Sequence, residues 1–262
     1  MRYIYQKDFN NGTLRLINSG SYQLMENIVF HPNSNNNFLP RFDQKEYPLS
    51  NGYILGFFAA ITIEGEDIEL NLNGKRIDFS KEFNLKQRFG AIIELGSTPF
   101  IPKQGPADFG SQFKSCKNIC IKNGFLGNSS HHGIHGNNPS YVQLKNLVIE
   151  DFEVSGISIN GGEGIEIVDV VVQNTHEVNN LSSYSQAKFC LPTLEKIVSN
   201  NKTGQLITHY GTLSGQDIMN NLKKEITDFE NHVLNNGHYN GLFLNQSGLT
   251  DANVYGISLN SK

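Results

Sequence analysis

Apolar and polar residues alternate through much of this chain at the period of a β-strand, and one short phrase keeps returning. It reads GIHG at 133–136, GISIN at 156–160, GLFLN at 241–245 and GISLN at 256–260. Ile134, Ile157, Leu242 and Ile257 fall in one column, Gly136, Ile159, Leu244 and Leu259 in a second, and Asn137, Asn160, Asn245 and Asn260 in a third. Successive strand residues face opposite ways, so the first two columns share a face. An apolar column recurring after 23 residues (134 to 157) and after 15 (242 to 257) predicts stacked strands, each layer adding to one core. The Asn column predicts either a ladder of side-chain amides between layers or Asn residues in left-handed turns.

Other stretches fit the same plan. GSYQLMENIVF, from Gly20 to Phe30, reads as an opening strand or cap, and GFFAAITI, from Gly56 to Ile63, as a buried strand. Ile68, Leu70 and Leu72 alternate with polar residues, Asn73-Gly74 turns, and Ile77 and Phe79 resume the inward face. Ala91 to Leu95 gives a further layer, followed by the Pro/Gly-rich excursion STPFIPKQGPADFGSQF. Three later layers are expected to share a start at Asn118-Ile119-Cys120-Ile121, Asn146-Leu147-Val148-Ile149 and Gly164-Ile165-Glu166-Ile167, with Asn123, Asp151 or Asp169 at the turn.

From Ser185 to Asn236 the period changes. Ile218, Leu222, Ile226, Phe229 and Val233 line one helical face, Ser214 with Asp217 forms a capping-box start, and a shorter helix is expected from Pro192 to Ser199 with Pro at its first position. The expectation is therefore an all-β solenoid in a single domain over 1–262, with an N-terminal cap and first layer at 1–55 and a helical insertion at 185–236, after which the strands resume at Tyr239. The pattern ends inside a layer at Gly256 to Lys262; the chain is either a fragment or covered there by a partner, through self-association or capping.

Composition narrows the functional classes. A chain of 262 residues that is 38% hydrophobic can bury a sizeable core, and its 25 Gly and 33 Asn supply the turns that short strands need. A net charge of −4 gives no basic footprint, so nucleic acid is not an expected partner. No run of 18 apolar residues occurs and the N-terminus lacks a signal core, which removes membrane insertion and leaves localisation open. Three cysteines imply no disulfide framework, and Cys116 and Cys120 read as packing residues.

Repeats of the form N-I-x-I-x-N-G followed by G-I-x-L-N, with GSYQL and I-E-L-N-L-N-G-K-x-I upstream, resemble the pectin lyase-like superfamily of right-handed parallel β-helix proteins. GFFAAITIEGEDIELNLNGKRI and SSHHGIHGNN are also similar to β-helix proteins of large DNA viruses, which would make the protein cytoplasmic or virion-associated. The resemblance implies a right-handed parallel β-helix and a polysaccharide or glycan partner; the superfamily holds lyases, hydrolases, epimerases and non-catalytic spikes. Its catalytic signatures match poorly. Gly133-Ile134-His135-Gly136 has one residue more than the Gly-His-Gly of polygalacturonase-type hydrolases, and no Asp-Asp pair is present. The acidic calcium ligands of pectate lyases have only Asp151 and Asp169 as counterparts, at turns, so calcium is left open.

The candidate chemistry is the cluster His131, His132 and His135. His135, opposite in parity to Ile134, is expected on an exposed row with Ser158, Phe243 and Ser258, where an imidazole near its neutral pKa can give or take a proton. Glu163 or Glu166 would assist, and Asn128, Ser158 and Asn160 would contact substrate. No metal ligand set is assigned, although imidazole can bind metals. Two classes stay open: a polysaccharide lyase, hydrolase or epimerase using these histidines, and a non-catalytic structural, virion or glycan-binding protein whose histidines make only local hydrogen bonds.

Overall fold

The computed structural model describes all residues except 42, 48–56, 88, 105–110, 176–181, 202–203, 210, 242, 244–254 and 261–262. In chain order its elements are β1 (Arg2–Ile4), β2 (Leu14–Leu16), β3 (Gly20–Leu24), β4 (Ile28–Phe30), β5 (Phe57–Ile63), β6 (Glu66–Asn71), β7 (Arg76–Phe79), α1 (Lys81–Lys86) and β8 (Phe89–Leu95). Then follow β9 (Lys117–Ser129), β10 (His132–Asn137), β11 (Ser140–Phe152), β12 (Ser155–Asn160), β13 (Glu163–Gln173), α2 (Ser182–Asn200), β14 (Gln205–Thr208), β15 (Gly211–Ser214), α3 (Gly215–Asn235) and β16 (Tyr255–Asn260). The chain divides into two compact units, Met1–Val178 with Asn253–Lys262, and Asn179–Ala252.

The first unit holds two parallel sheets. One runs β1-β3-β6-β9-β11-β13, with β4 and β7 joined beside β9, and the other runs β16-β12-β10-β8-β5-β2. From β8 to β13 consecutive strands alternate between the sheets, each burying an apolar face against the other sheet, whereas β3 with β4 and β6 with β7 stay in the first. Ile68, Leu70, Ile119, Ile121, Val142 and Leu144 from the first sheet join Ile61, Ile63, Ile93, Leu95, Ile134, Ile157 and Ile159 from the second in one core cluster, all at 0–1% exposure. Each such side chain contributes about 1.5–3 kcal/mol on burial.

The strands of the first sheet bend at regular left-handed positions. Asn118, Asn123 and Asn128 in β9, and Tyr141, Asn146 and Asp151 in β11, all have positive φ at every fifth residue, as do Gly164 and Asp169 in β13. Asn, Asp and Gly tolerate that conformation best. The strands pair so that bend stacks on bend, with Leu144 opposite both Ile121 and Ile167. Asn146 Nδ2 donates to Asn123 Oδ1 at 3.2 Å across the 23-residue repeat. The shared start expected for the three layers is therefore shifted in its middle member. Tyr141, not Asn146, stands level with Asn118 and Gly164, since a five-residue motif of bend plus alternating apolar residues recurs within each strand and can be slipped by one copy.

The expected all-β, right-handed parallel β-helix class is corrected. The chain is mixed α/β, with parallel sheets interleaved with helices, 24% helix and 46% strand. One helix was not anticipated at all: α1 starts where the Ser80 side chain accepts from Phe83 N and buries Phe83 and Leu85. The others lie in the second unit. There α2 is longer than expected and carries Pro192 inside it, not at its first position. Helix α3 follows the predicted face, with Ile226 and Phe229 buried and Ser214 Oγ accepting from Asp217 N at 3.2 Å. Between them β14 and β15 form an antiparallel pair. Tyr184, Phe229, Tyr239 and Phe243 pack ring against ring, which places Phe243 in this unit's core and not on the row of His135. Leu242, Leu244 and Asn245 lie outside the described residues.

Cys116 is buried in the core, whereas Cys120, expected to pack likewise, stands in the outward row beside Glu69 and Gln143 and is half-buried. No helix among the described residues is long and apolar enough to cross a membrane.

Candidate functional site

The histidines sit where β10 begins. The turn before them is fixed by buried hydroxyls: Ser129 Oγ lies 2.8 Å from Gly90 O, Ser130 Oγ accepts from Gly90 N at 3.1 Å, and Val154 N donates to His131 O at 3.0 Å. From that anchor β10 pairs with β12 on one side, Ile134 opposite Ile157, and with β8 on the other, Ile134 opposite Ile93. His135 therefore lies between Glu94 and Ser158 on consecutive strands, all on the face away from the core.

Glu94 was not anticipated, and it is the group that defines the site. Its carboxylate accepts from His135 Nδ1 at 2.7 Å, and its side chain is 3% exposed. His135 was expected to be exposed; it is 9% exposed, because the excursion after β8 folds back over it. That excursion closes at its neck, where Lys114 N donates to Ser97 Oγ at 2.8 Å, and its Pro99 carbonyl accepts from Asn137 Nδ2 at 2.7 Å. Pro99 and Phe100 thereby form one wall of a cavity of about 90 Å³ whose other walls are Phe89, Ala91, Glu94, His131, His132 and His135.

The histidines stack on one another. The rings of His132 and His135 are 5.1 Å apart and nearly parallel, at 9°, while His131 leans on His132 at 4.1 Å and meets Phe89 edge-on. Their protonation differs. Burial holds the His132 pKa well below 6.5, helped by repulsion from its two histidine neighbours. Burial would also depress His135, but the charge of Glu94 and the hydrogen bond to it outweigh that and raise its pKa above 6.5. A neutral imidazole thus lies against one biased towards the cation.

Stability should record this. A raised histidine contributes stability below its unfolded pKa and loses it as pH rises through the folded one; a depressed histidine loses it as pH falls below the unfolded value. The two together should place a stability maximum close to pH 6.5, measured as Tm from about pH 5 to about pH 8. His135→Gln should flatten the alkaline side and His132→Gln the acid side. Curves unchanged in shape would mean that neither ring titrates differently on folding.

The other expected site residues are placed as follows. Asn160 extends the Asn ladder: its Nδ2 donates to Asn137 Oδ1 at 3.1 Å and its Oδ1 accepts from Asn260 Nδ2 at 2.8 Å, while the same Nδ2 stands 3.5 Å from His135 Nε2. Ser158 lies beside His135 but is 8% exposed, not on an open row. Asn128 takes a left-handed bend and donates to Phe79 O at 2.7 Å, which is a structural task. Glu163 and Glu166 do not reach the histidines. They belong to β13 in the first sheet, where Glu163 accepts from Tyr141 Oη and Glu166 pairs with Lys145. Asp151 binds Thr175, and Asp169 sits at a left-handed bend. Among the described residues no group of three or more His, Cys, Asp and Glu side chains is placed to hold a metal ion.

Laying Ala91-Ile92-Ile93-Glu94-Leu95 over His132-Gly133-Ile134-His135-Gly136 would have revealed Glu94, since both place a polar residue between two inward positions. Comparison with known proteins gives no match to the chain: no family model, no curated protein and no solved structure.

Proposed function

We propose that this protein is a carbohydrate-active enzyme in which His135, held by Glu94, moves a proton to or from the substrate. The observation that carries the reading is the buried carboxylate–imidazole pair opening on the cavity. A carboxylate on Nδ1 fixes the tautomer and leaves Nε2 to exchange the proton, and a pKa above 6.5 keeps both protonation states within reach near neutrality. Phe89 and Phe100 offer apolar ring surface beside the polar groups, as small-ligand sites do. The cavity admits one substituent of a sugar and not a polymer chain. The repeat motifs similar to pectin lyase-like proteins support a glycan as the larger partner.

The test is turnover on pectate, alginate and neutral glucans with and without calcium, read as unsaturated ends and as reducing sugar. His135→Gln is the informative variant. Its amide can still donate to Glu94, whereas His135→Ala would strand a buried carboxylate and cost about 3–5 kcal/mol. Turnover should fall by about 10² to 10⁴-fold in the Gln variant. A wild-type chain that yields neither a cleaved polymer nor a released acyl group would instead favour the non-catalytic, glycan-binding or structural class.

A further inference from the structure

Glu94 and His135 are two members of a row that has a third. In the register of β8, β10 and β12, Glu94 stands opposite one flank of His135 and Ser158 opposite the other. Carboxylate, imidazole and hydroxyl thus occupy adjacent strands on one face. The ring of His135 gives one nitrogen to Glu94 and holds no hydrogen bond to the Ser158 hydroxyl in this structure. Its Nδ1 meets Glu94 at 2.7 Å, and its Nε2 faces β12, with Asn160 Nδ2 at 3.5 Å. The neighbouring buried serines are engaged, Ser155 Oγ donating to Ile157 O at 2.6 Å and Ser129 Oγ lying 2.5 Å from His132 O. No hydrogen bond of the Ser158 hydroxyl is found among the described residues.

We propose that Ser158 is the nucleophile of an acyl-transfer centre, with His135 as its base and Glu94 as the positioning carboxylate, and that the substrate is an O-acyl ester of a carbohydrate. This rests on the proton-transfer reading of His135. Ser158 Oγ attacks the ester carbonyl carbon while its proton passes to His135 Nε2. The carbon–oxygen bond to the sugar then breaks, and the sugar oxygen leaves with that proton as an alcohol. Water, giving its proton to the same nitrogen, attacks the acyl-serine; Ser158 recovers the proton as the carboxylic acid departs. Asn160 is placed to stabilise the oxyanion. One hydrogen of its Nδ2 is held by Asn137 Oδ1, and the other, facing His135 Nε2, is released once that nitrogen is protonated.

The experiment treats the full chain with a fluorophosphonate probe, locates the adduct by peptide mass spectrometry, and measures hydrolysis of p-nitrophenyl acetate and an O-acetylated glycan. A single adduct on Ser158 is expected. Ser158→Ala should abolish it and lower ester turnover by at least about 10³-fold. His135→Gln should slow labelling by about 10²-fold, and the labelling rate should rise with pH through the ionisation of His135. Ser258→Ala, on the same row one strand further, should change nothing. Should Ser158→Ala be poorly folded, Ser158→Cys supplies a second reading: its thiol should alkylate with the same pH profile. An adduct elsewhere, or ester turnover that survives Ser158→Ala, overturns the proposal. Polymer cleavage that depends on His135 without a Ser158 adduct overturns acyl transfer and leaves proton transfer standing; absence of both activities and of the adduct removes both.

Discussion

Ile157→Asp should be the most destabilising single substitution on the core side of the second sheet, costing about 4 kcal/mol or more. Ile157 is 0% exposed and stands between Ile134 and Ile257 in the parallel register. The change removes about 1.5–3 kcal/mol of apolar burial and adds a carboxylate that finds no cation in the core cluster. Domains hold about 5–15 kcal/mol in total, so a loss of this size removes a large share of the stability. The check is the urea midpoint, compared with Ile257→Asp. Ile257 occupies the same column in β16 but is 44% exposed, so its substitution should cost roughly half as much. Equal losses at the two positions would mean that the column does not define the core layer.

Glu94→Gln should have the largest effect on activity, lowering turnover by about 10⁴-fold, the loss seen when the carboxylate behind a catalytic imidazole becomes an amide. Both influences that raise the His135 pKa come from Glu94; what remains is burial, which lowers it. The His135 titration should therefore move from above 6.5 to below it, and the pH–rate profile should move with it. The amide can also present its NH₂ to Nδ1 and force the wrong tautomer. An NMR titration of the imidazole resonances decides the matter. An unmoved His135 titration would show that Glu94 does not control the ring, whatever happens to turnover.

The core columns were legible because each repeat writes them in the same letters. Ile134, Ile157 and Ile257 pair as the phrase alignment requires, and Asn137, Asn160 and Asn260 form the amide ladder, not a run of left-handed turns. The site was half legible. The histidines declared themselves, but Glu94 lies on the strand beside β10, 41 residues upstream, so the 23-residue spacing of the later layers does not point to it and only the alignment of the two phrases does. Burial was misread for a related reason. Parity predicts which face a residue takes, not whether a loop later covers that face, and Pro99 and Phe100 do cover it. Glu163 and Glu166 drew notice as nearby carboxylates in sequence, yet nearness along the chain counts for little when successive strands go to different sheets.

The stacked left-handed bends carry an evolutionary consequence. Between residues 117 and 173 each bend must meet its counterpart 23 residues away, and one inserted residue would turn every following side chain to the wrong face. Insertions should therefore be tolerated only at the corners, where residues 31–41 and 97–104 already depart from the strands. The roof over His135 belongs to one of those stretches. The roof can therefore change in length without disturbing the register of Glu94, His135 and Ser158, and under the proposed function it is the part of the site free to set which substrate enters.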